Sequence, residues 1–341
     1  MAHVCVAVNH RKAPLYLVDP HAREQSIRTR DAVCAALQDL GHSVTVVEAG
    51  PPMLGKLSSL SPDVVFNLAT GYRTKKEQAN IAAMLEMSGI PFTGSPFRAH
   101  VLGLHKHMAK MVMGLHGIPT PRFALVHEHS QIAPDLVSML RFPVIVKPAA
   151  EGSSTGISPD SVAGDPESVS RTAEEVLERF GAPALIEEFV DGREFTVGLV
   201  GYPEPAVLPI EEIVFPGGGI YTYEVKSRDA VLPVCPADIS SEMNAELQEI
   251  AWRTFNAVGC LDLGRVDIRL SRDGRPYVLE INTLPGLMPG YSEIPRMAEK
   301  AGISYTELVR RVLEGALLRR DALTKNSKGR WQDHGREASS R

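Results

Sequence analysis

Cysteine is scarce in this 341-residue chain, long apolar runs are missing, and basic residues are not in excess. The four cysteines, Cys5, Cys34, Cys235 and Cys260, form no CxxC pair and share no regular spacing. That excludes a disulfide framework and a thiolate metal site, and leaves inert core thiols in a reducing compartment. No apolar stretch reaches the roughly 20 residues of a membrane helix, and the N-terminus lacks the basic, apolar and small-residue layout of a signal peptide. A cytoplasmic protein with no membrane partner is expected. Lys and Arg number 36 against 41 Asp and Glu, a formal net charge of -5, which argues against a nucleic-acid partner. No internal repeat is found.

What is present is ordinary globular composition, 44% hydrophobic and 23% charged, in a chain long enough for two or three packed subdomains. The first hundred residues alternate strand and helix. His3–Val8, Val44–Val47 and Val64–Leu68 read as strands, while Ala22–Leu40 and Lys76–Ser88 read as helices. Such alternation predicts an α/β, doubly wound parallel sheet with right-handed crossovers. Beyond Phe97 the pattern predicts a helix over Lys106–Leu115, strands at Phe123–His127, Phe142–Lys147 and Ala184–Phe189, and a helix at Val169–Phe180. Strands dominate from Glu194, interrupted by a helix at Ser241–Ala257, and a last helix is predicted over Tyr305–Leu318. The Lys-, Arg- and Ser-rich remainder reads as a disordered tail.

One segment yields geometry directly. In Arg265–Asn282, Asp273-Gly274 is a two-residue hairpin signal. A turn there puts Asp267 opposite Glu280, with Asn282 on the same face and Arg265 across from Asn282. The other face carries Val266, Ile268 and Leu270 against Tyr277, Leu279 and Ile281. One face is therefore core, and the other collects two carboxylates, an amide oxygen and an arginine. Oxygen ligation of that kind suits Mg²⁺.

A second segment, Val144–Gly156, is a strand ending in Lys147 followed by a small-residue loop holding Glu151, Ser153 and Ser154. Such loops let backbone N–H groups approach phosphate oxygens, with lysine as a point charge. In order along the chain stand Lys106, Lys147-Pro148, Glu151–Ser154, Leu185–Val190 with Glu194, Arg265–Asp267 and Glu280–Gly286. This series resembles the D-alanine–D-alanine ligase-like branch of the ATP-grasp superfamily. The likeness covers roughly Asp63 to Leu318 and is densest from Phe142 to Gly286.

The resemblance implies an ATP-grasp fold: an N-terminal doubly wound parallel-sheet subdomain (1–96), then central (97–187) and C-terminal (188–320) α+β subdomains sandwiching ATP, and the disordered tail (321–341). It implies phosphate contacts from Lys106, Lys147, Glu151 and Ser154, and adenine contacts from Glu187, Leu279 and the backbone at Phe189 and Val190. Glu194 would hold the ribose. Asp267, Glu280 and Asn282 would bind two Mg²⁺ ions, with Mn²⁺ as a substitute. Arg265 and the Gly286 N–H would form an oxyanion-hole pair, with Ser153 and the closing-loop Lys226 also catalytic and Tyr291 and Ser292 meeting substrate. The partners implied are a small-molecule carboxylate and an amine, both amino-acid-like, in a homodimer.

The chain departs from the family where it holds the first substrate. Asn9–Asp19 lacks the glycine-rich, acidic segment, and Ser227 replaces a tyrosine after Lys226. Leu287–Ser292 is one residue longer than the family's run. His10, Arg11, Lys12 and Tyr16 are candidates for the altered pocket. The reading is an ATP-dependent carboxylate–amine ligase working through an acyl phosphate. Its alternatives are an authentic D-alanine–D-alanine ligase and a nucleotide-binding regulator without catalysis.

Overall fold

A computed structural model describes residues 1–10, 20–74, 77–132, 139–150, 156–181, 183–215 and 232–337, without the side chains of 20, 21 and 322–337. Three sheets organise them. The first is parallel, in the order β2 (Ser43–Glu48), β1 (His3–Val8), β3 (Val64–Asn67). Strands β1 and β3 are short apolar runs because both their faces are covered, whereas the edge strand β2 is mixed and partly exposed. Val4, Val6 and Val8 face α1 (Pro20–Asp39), while Cys5 and Ala7 face α2 (Met53–Leu60) and α3 (Gln78–Ser88). Alternation of side chains along β1 thus separates two cores.

The first of those cores does not stop at the N-terminal region. It runs on through Ile294 and Met297 of α8 (Glu293–Lys300) and Leu308, Val309, Val312 and Leu313 of α9 (Tyr305–Glu337). Each such side chain, fully buried, contributes about 1.5–3 kcal/mol. Polar clasps reinforce the contact. The Arg319 guanidinium grips the buried Asp262 carboxylate (Nη2–Oδ2 2.6 Å) and donates to the Phe92 carbonyl, while Asp262 Oδ2 also accepts the Gly94 N–H at 2.8 Å.

Helices α4 (Phe97–Leu104) and α5 (Lys106–Leu115) lead into an antiparallel sheet in the order β4 (Phe123–Val126), β7 (Ala184–Glu188), β5 (Val144–Pro148), β6 (Val162–Ala163). Helix α6 (Pro166–Phe180) covers it, started by Asp165, whose side chain accepts the Ser168 N–H in a capping box. The third sheet follows the order β11 (Leu232–Val234), β10 (Glu211–Val214), β8 (Gly192–Gly201), β12 (Asp262–Ser271), β13 (Pro276–Asn282), with β9 (Ala206–Val207) beside β8. Helix α7 (Ser241–Val258) packs on its apolar face through Leu247, Ile250, Ala251 and Phe255.

Two expectations need correcting. The hairpin loop has three residues, Arg272-Asp273-Gly274, closed by the Ser271 N–H to the Arg275 carbonyl, with Gly274 at φ +82°. Only glycine adopts that left-handed conformation at no steric cost. Helix α9 also continues past Leu318 to Glu337, in place of the disordered tail expected from 321. The added segment contains no proline, and Ala, Leu, Lys, Arg and Gln in it favour helix.

Cysteine chemistry is muted as expected. Burial pushes the Cys5 and Cys235 thiols up to about 11 and Cys260 to about 12, so none presents a thiolate near neutrality. Among the described residues no helix is long and apolar enough to cross a membrane.

Candidate active site

The three-residue loop should have put Asp267 out of register with Glu280. It does not, because the pairing shifts by one between Asp267 and Ile268, leaving Leu279 as an extra residue on β13. This β-bulge restores Asp267 opposite Glu280 and Arg265 opposite Asn282. It also changes the core face, where Val278 is fully buried and Leu279 only half-buried. On the neighbouring strand Thr196 pairs with Asp267 and Glu194 with Arg269. One sheet face therefore presents Glu194, Thr196, Arg265, Asp267, Arg269, Glu280 and Asn282 together.

Their charges are tied one to another. The Arg265 fork holds Asp267 (Nε–Oδ1 3.0 Å, Nη2–Oδ2 2.8 Å) and reaches Glu293 with Nη1 at 3.1 Å. Three of its five N–H donors are thereby engaged, and two remain. Thr196 donates its hydroxyl to Asp267 Oδ1 at 2.6 Å. Lys106 Nζ stands 2.8 Å from Glu280 Oε2. Burial would raise the Glu280 carboxyl, yet Lys106, Lys147 and Arg265 outweigh it and hold it far below the usual range.

The central sheet supplies the opposite wall. Lys147, at the end of β5, pairs with Glu187 of β7, and the fully buried Lys110 of α5 lies 3.1 Å from the second oxygen of Glu187. That oxygen is buried, and the charge of Lys110 beside it stabilises it as an anion. Burial raises the Glu187 carboxyl, but the two lysines more than reverse this, so it is an anion. The α5 N-terminus is fastened to the phosphate loop by the Lys106 N–H on the Ala149 carbonyl at 3.0 Å.

Glu194 differs from its neighbours. Burial pushes its carboxyl up to about 7, with Arg269 lowering it and Asp267 and Glu280 raising it. Arg269 lies 3.3 Å from Glu194 and close to the rings of Phe189 and Phe215, each 5.7 Å from its guanidinium carbon. The Phe189 N–H donates to the Pro143 carbonyl at 3.0 Å, which removes it as an adenine donor. The Val190 N–H has no acceptor among the described residues.

After β13 the chain turns sharply. The Leu284 N–H donates to Asn282 Oδ1 at 3.1 Å. Gly286 approaches Ser292 so closely that a Cβ on it would lie 2.6 Å from the serine Oγ. Ser292 is buried and its Oγ accepts the Met288 N–H at 3.2 Å, leaving its proton free to be donated elsewhere. Tyr291 is exposed, and its carbonyl is gripped by Arg296, whose fork also binds the buried Glu211. The Gly286 N–H has no acceptor among the described residues.

At the carboxyl ends of the first sheet, where open α/β sheets bind ligands, a second set of groups gathers. Asn9 Oδ1 accepts the N–H groups of Thr70 (2.8 Å) and Gly71 (3.1 Å). His10 meets the Tyr72 ring edge-on at 5.6 Å and lies 3.4 Å from Glu48. Glu77 accepts the N–H groups of Tyr72 and Arg73 at 2.8 and 2.6 Å.

Glu151, Ser153, Ser154 and Lys226 lie outside the described residues, as do Arg11, Lys12, Tyr16 and Ser227. The site also contains residues that sequence reasoning passed over: Lys110, Thr196, Arg269, Glu293 and Glu77. Helical spacing places Lys110 one turn after Lys106 on the same face, a signal that was available. The others are brought in by strand register or by α8, which no motif marks.

Comparison with known proteins agrees with this geometry. Residues 112–314 match the family model described as the D-ala D-ala ligase C-terminus. A D-alanine–D-alanine ligase of Bordetella pertussis is 38% identical over 298 residues, covering 86% of this chain and 91% of that protein. The ligase of Syntrophotalea carbinolica is 36% identical over 300 residues, covering 87% and 93%. An uncharacterised protein, y4sG, of Sinorhizobium fredii is 37% identical over 301 residues, covering 85% and 87%. Among solved structures, the D-alanine–D-alanine ligase of Bacillus anthracis complexed with ATP superposes with a TM-score of 0.76 at 22% identity, covering 94% of this chain and 99% of that one. A non-catalytic regulator is set aside, and the chain is an ATP-dependent carbon–nitrogen ligase of the ATP-grasp fold, belonging to the D-alanine–D-alanine ligase family.

Proposed function

We propose that the protein activates an amino-acid-like carboxylate as an acyl phosphate and joins it to the amine of a second amino acid, releasing ADP and phosphate. The observation that carries this is the charge balance of the site. Among the described residues five carboxyl groups, Glu187, Glu194, Asp267, Glu280 and Glu293, stand beside five cations, Lys106, Lys110, Lys147, Arg265 and Arg269, with Glu194 only partly ionised near neutrality. A triphosphate entering so balanced a cluster must bring its own countercharge, because unpaired buried charge is costly.

Asp267, Glu280 and Asn282 fit a divalent metal. Their donors are all oxygen, which suits Mg²⁺ and serves Mn²⁺ too. No group of three His, Cys, Asp or Glu side chains is arranged to hold a metal among the described residues, so the third protein oxygen has to be the Asn282 amide. The metal would supply countercharge to the phosphates. Lys106 and Lys147 would exchange their carboxylate partners for phosphate oxygens. The Glu187 carboxylate would accept the adenine amino group, Val190 would donate to the ring, Leu279 would pack against it, and Glu194 would hold the ribose. Glu151 and Ser154 are assigned to the phosphates, Ser153 and Lys226 to the reacting end, and Tyr291 and Ser292 to the second substrate.

The substrate carboxylate attacks the γ-phosphorus, and the second amine then displaces phosphate from the acyl phosphate. Negative charge develops on the acyl oxygen in that second step. The unused Arg265 donors and the Gly286 N–H are the groups to receive it, an oxyanion-hole pair.

Substrate choice is a separate matter. On this reading the first pocket is lined by Asn9, His10 and Tyr72, and the sequence lacks the family's acidic segment and tyrosine. Buried polar mismatches of this sort cost several kcal/mol of transition-state binding. We therefore assign the protein a different amino acid, or a pair of unlike ones. D-alanyl-D-alanine formation is the second reading, favoured by relatives of that name along 86–88% of the chain. The test is incubation with ATP, Mg²⁺ and D-alanine alone, then with mixed amino acids, with phosphate release and product mass recorded. Efficient D-alanyl-D-alanine synthesis from D-alanine alone would restore the second reading.

A further inference from the structure

Lys110 has no role in the chemistry above, yet it is among the largest fully buried side chains of the molecule. Its ammonium has three donors and no acceptor. One hydrogen bond goes to Thr120 Oγ1 at 2.8 Å, and Nζ also stands 3.1 Å from Glu187 Oε2. The Thr120 hydroxyl in turn donates to the Val278 carbonyl at 2.9 Å, and the Val278 N–H donates to the Pro119 carbonyl at 2.8 Å. Val278 is the last paired residue before the Leu279 bulge that sets Glu280 opposite Asp267.

The ammonium thus touches the central sheet at Glu187 and, through one hydroxyl, the C-terminal sheet at the bulge. Charge balance alone does not explain it, because Lys147 already pairs with Glu187. Removing one partner of a buried ion pair is destabilising in itself, so the role of this lysine is read from the groups it joins rather than from stability. What Lys110 adds is direction. Glu187 is held from two sides, by Lys147 on one oxygen and by Lys110 on the other.

We propose that Lys110 is a positioning residue that holds the adenine-reading carboxylate Glu187 and the metal-bearing strand β13 in one fixed relation, so that base selection and metal binding are set together. This rests on the nucleotide placement given above. The groups facing Lys110 are Glu187 from β7, Lys147 from β5, Thr120 from the linker and Lys106 from its own helix. Burial, the largest influence, pulls its ammonium down to about 8, against the raising effect of Glu187.

The experiment is calorimetric binding of ATP and GTP to the full chain across a Mg²⁺ titration, with no amino-acid substrate, for wild type, Lys110→Met, Lys110→Arg, Thr120→Val and Glu187→Gln. Glu187→Gln and Lys110→Met are each expected to lose about tenfold of the preference for ATP over GTP, the scale of one charged buried hydrogen bond. Thr120→Val keeps the preference but needs several-fold more Mg²⁺, because only the link to the bulge is cut. Lys110→Arg keeps the charge and recovers part of the preference. In wild type the preference falls as pH rises through about 8, where Lys110 gives up its proton, and in Lys110→Met it is flat there. Unchanged preference and Mg²⁺ requirement in Lys110→Met overturns the proposal, whatever the melting temperature. A flat wild-type pH profile overturns it as well, without any substitution. If Glu187→Gln itself leaves the preference intact, the nucleotide placement is what fails.

Discussion

The nucleotide wall and the first-substrate pocket are built from different materials. Around Asp267, Glu280 and Glu187 nearly every polar atom belongs to an ion pair between buried side chains on regular strands and one helix. Around Asn9, His10 and Tyr72 the contacts are mainly hydrogen bonds to backbone N–H groups and a ring edge, with more exposed charged contacts at His10–Glu48 and Arg73–Glu77, on loops at the ends of parallel strands. A buried ion network is intolerant of change, since removing one member strands another. Loop contacts of the second kind are replaceable one at a time. In the function proposed above, phosphoryl transfer rests on the first kind of structure and substrate choice on the second.

That contrast can be broken most forcefully at the metal face. Asp267→Ala or Glu280→Ala should abolish ATP turnover, since each removes a metal oxygen and leaves Arg265 or Lys106 without its carboxylate. Turnover at the wild-type rate in either variant would sink the hairpin argument. Arg265→Ala should lower ligation by about 10²–10³. Because the Arg265 fork also clamps Asp267, its Mg²⁺ requirement should rise too. Loss of ATP binding with the chemical step unchanged would show the residue to be misplaced.

On the loop side effects should be smaller and selective. Asn9→Ala should raise the KM for the first amino acid several-fold and leave the KM for ATP untouched, the cost of about one net hydrogen bond. Steady-state kinetics with each substrate varied in turn separates the two. A shift in both constants would erase the distinction between the regions. Smallest of all, truncation after Asp321 keeps Arg319 on Asp262 and should leave activity and melting temperature nearly unchanged.

The metal face was legible in sequence for a reason that is only half right. Asp273-Gly274 correctly marked a hairpin, but the inferred two-residue turn is a three-residue loop, and the pairing of Asp267 with Glu280 survives because Leu279 bulges. Two one-residue offsets cancel, and neither is written in local propensity. Alternating strands and helices gave the parallel first sheet, and Lys106–Leu115 was bounded correctly because a proline-containing linker follows it. Helix α4 and helix α8 escaped, being segments of only eight residues. Lys110 escaped because a lysine on a helix is ordinarily solvated, and only the packing of β7 and β13 against α5 shows otherwise.

The core shared by β1, β3, α8 and α9 has a bearing on how the chain is made. Val4, Val6, Val8 and Phe66 are synthesised long before Leu308, Val309, Val312 and Leu313, which share their core. The part of that apolar face that α1 does not cover thus stays wet while the intervening chain is made, an aggregation-prone interval of the sort chaperones exist to shield. A nascent chain arrested before Tyr305 is expected to keep that face exposed.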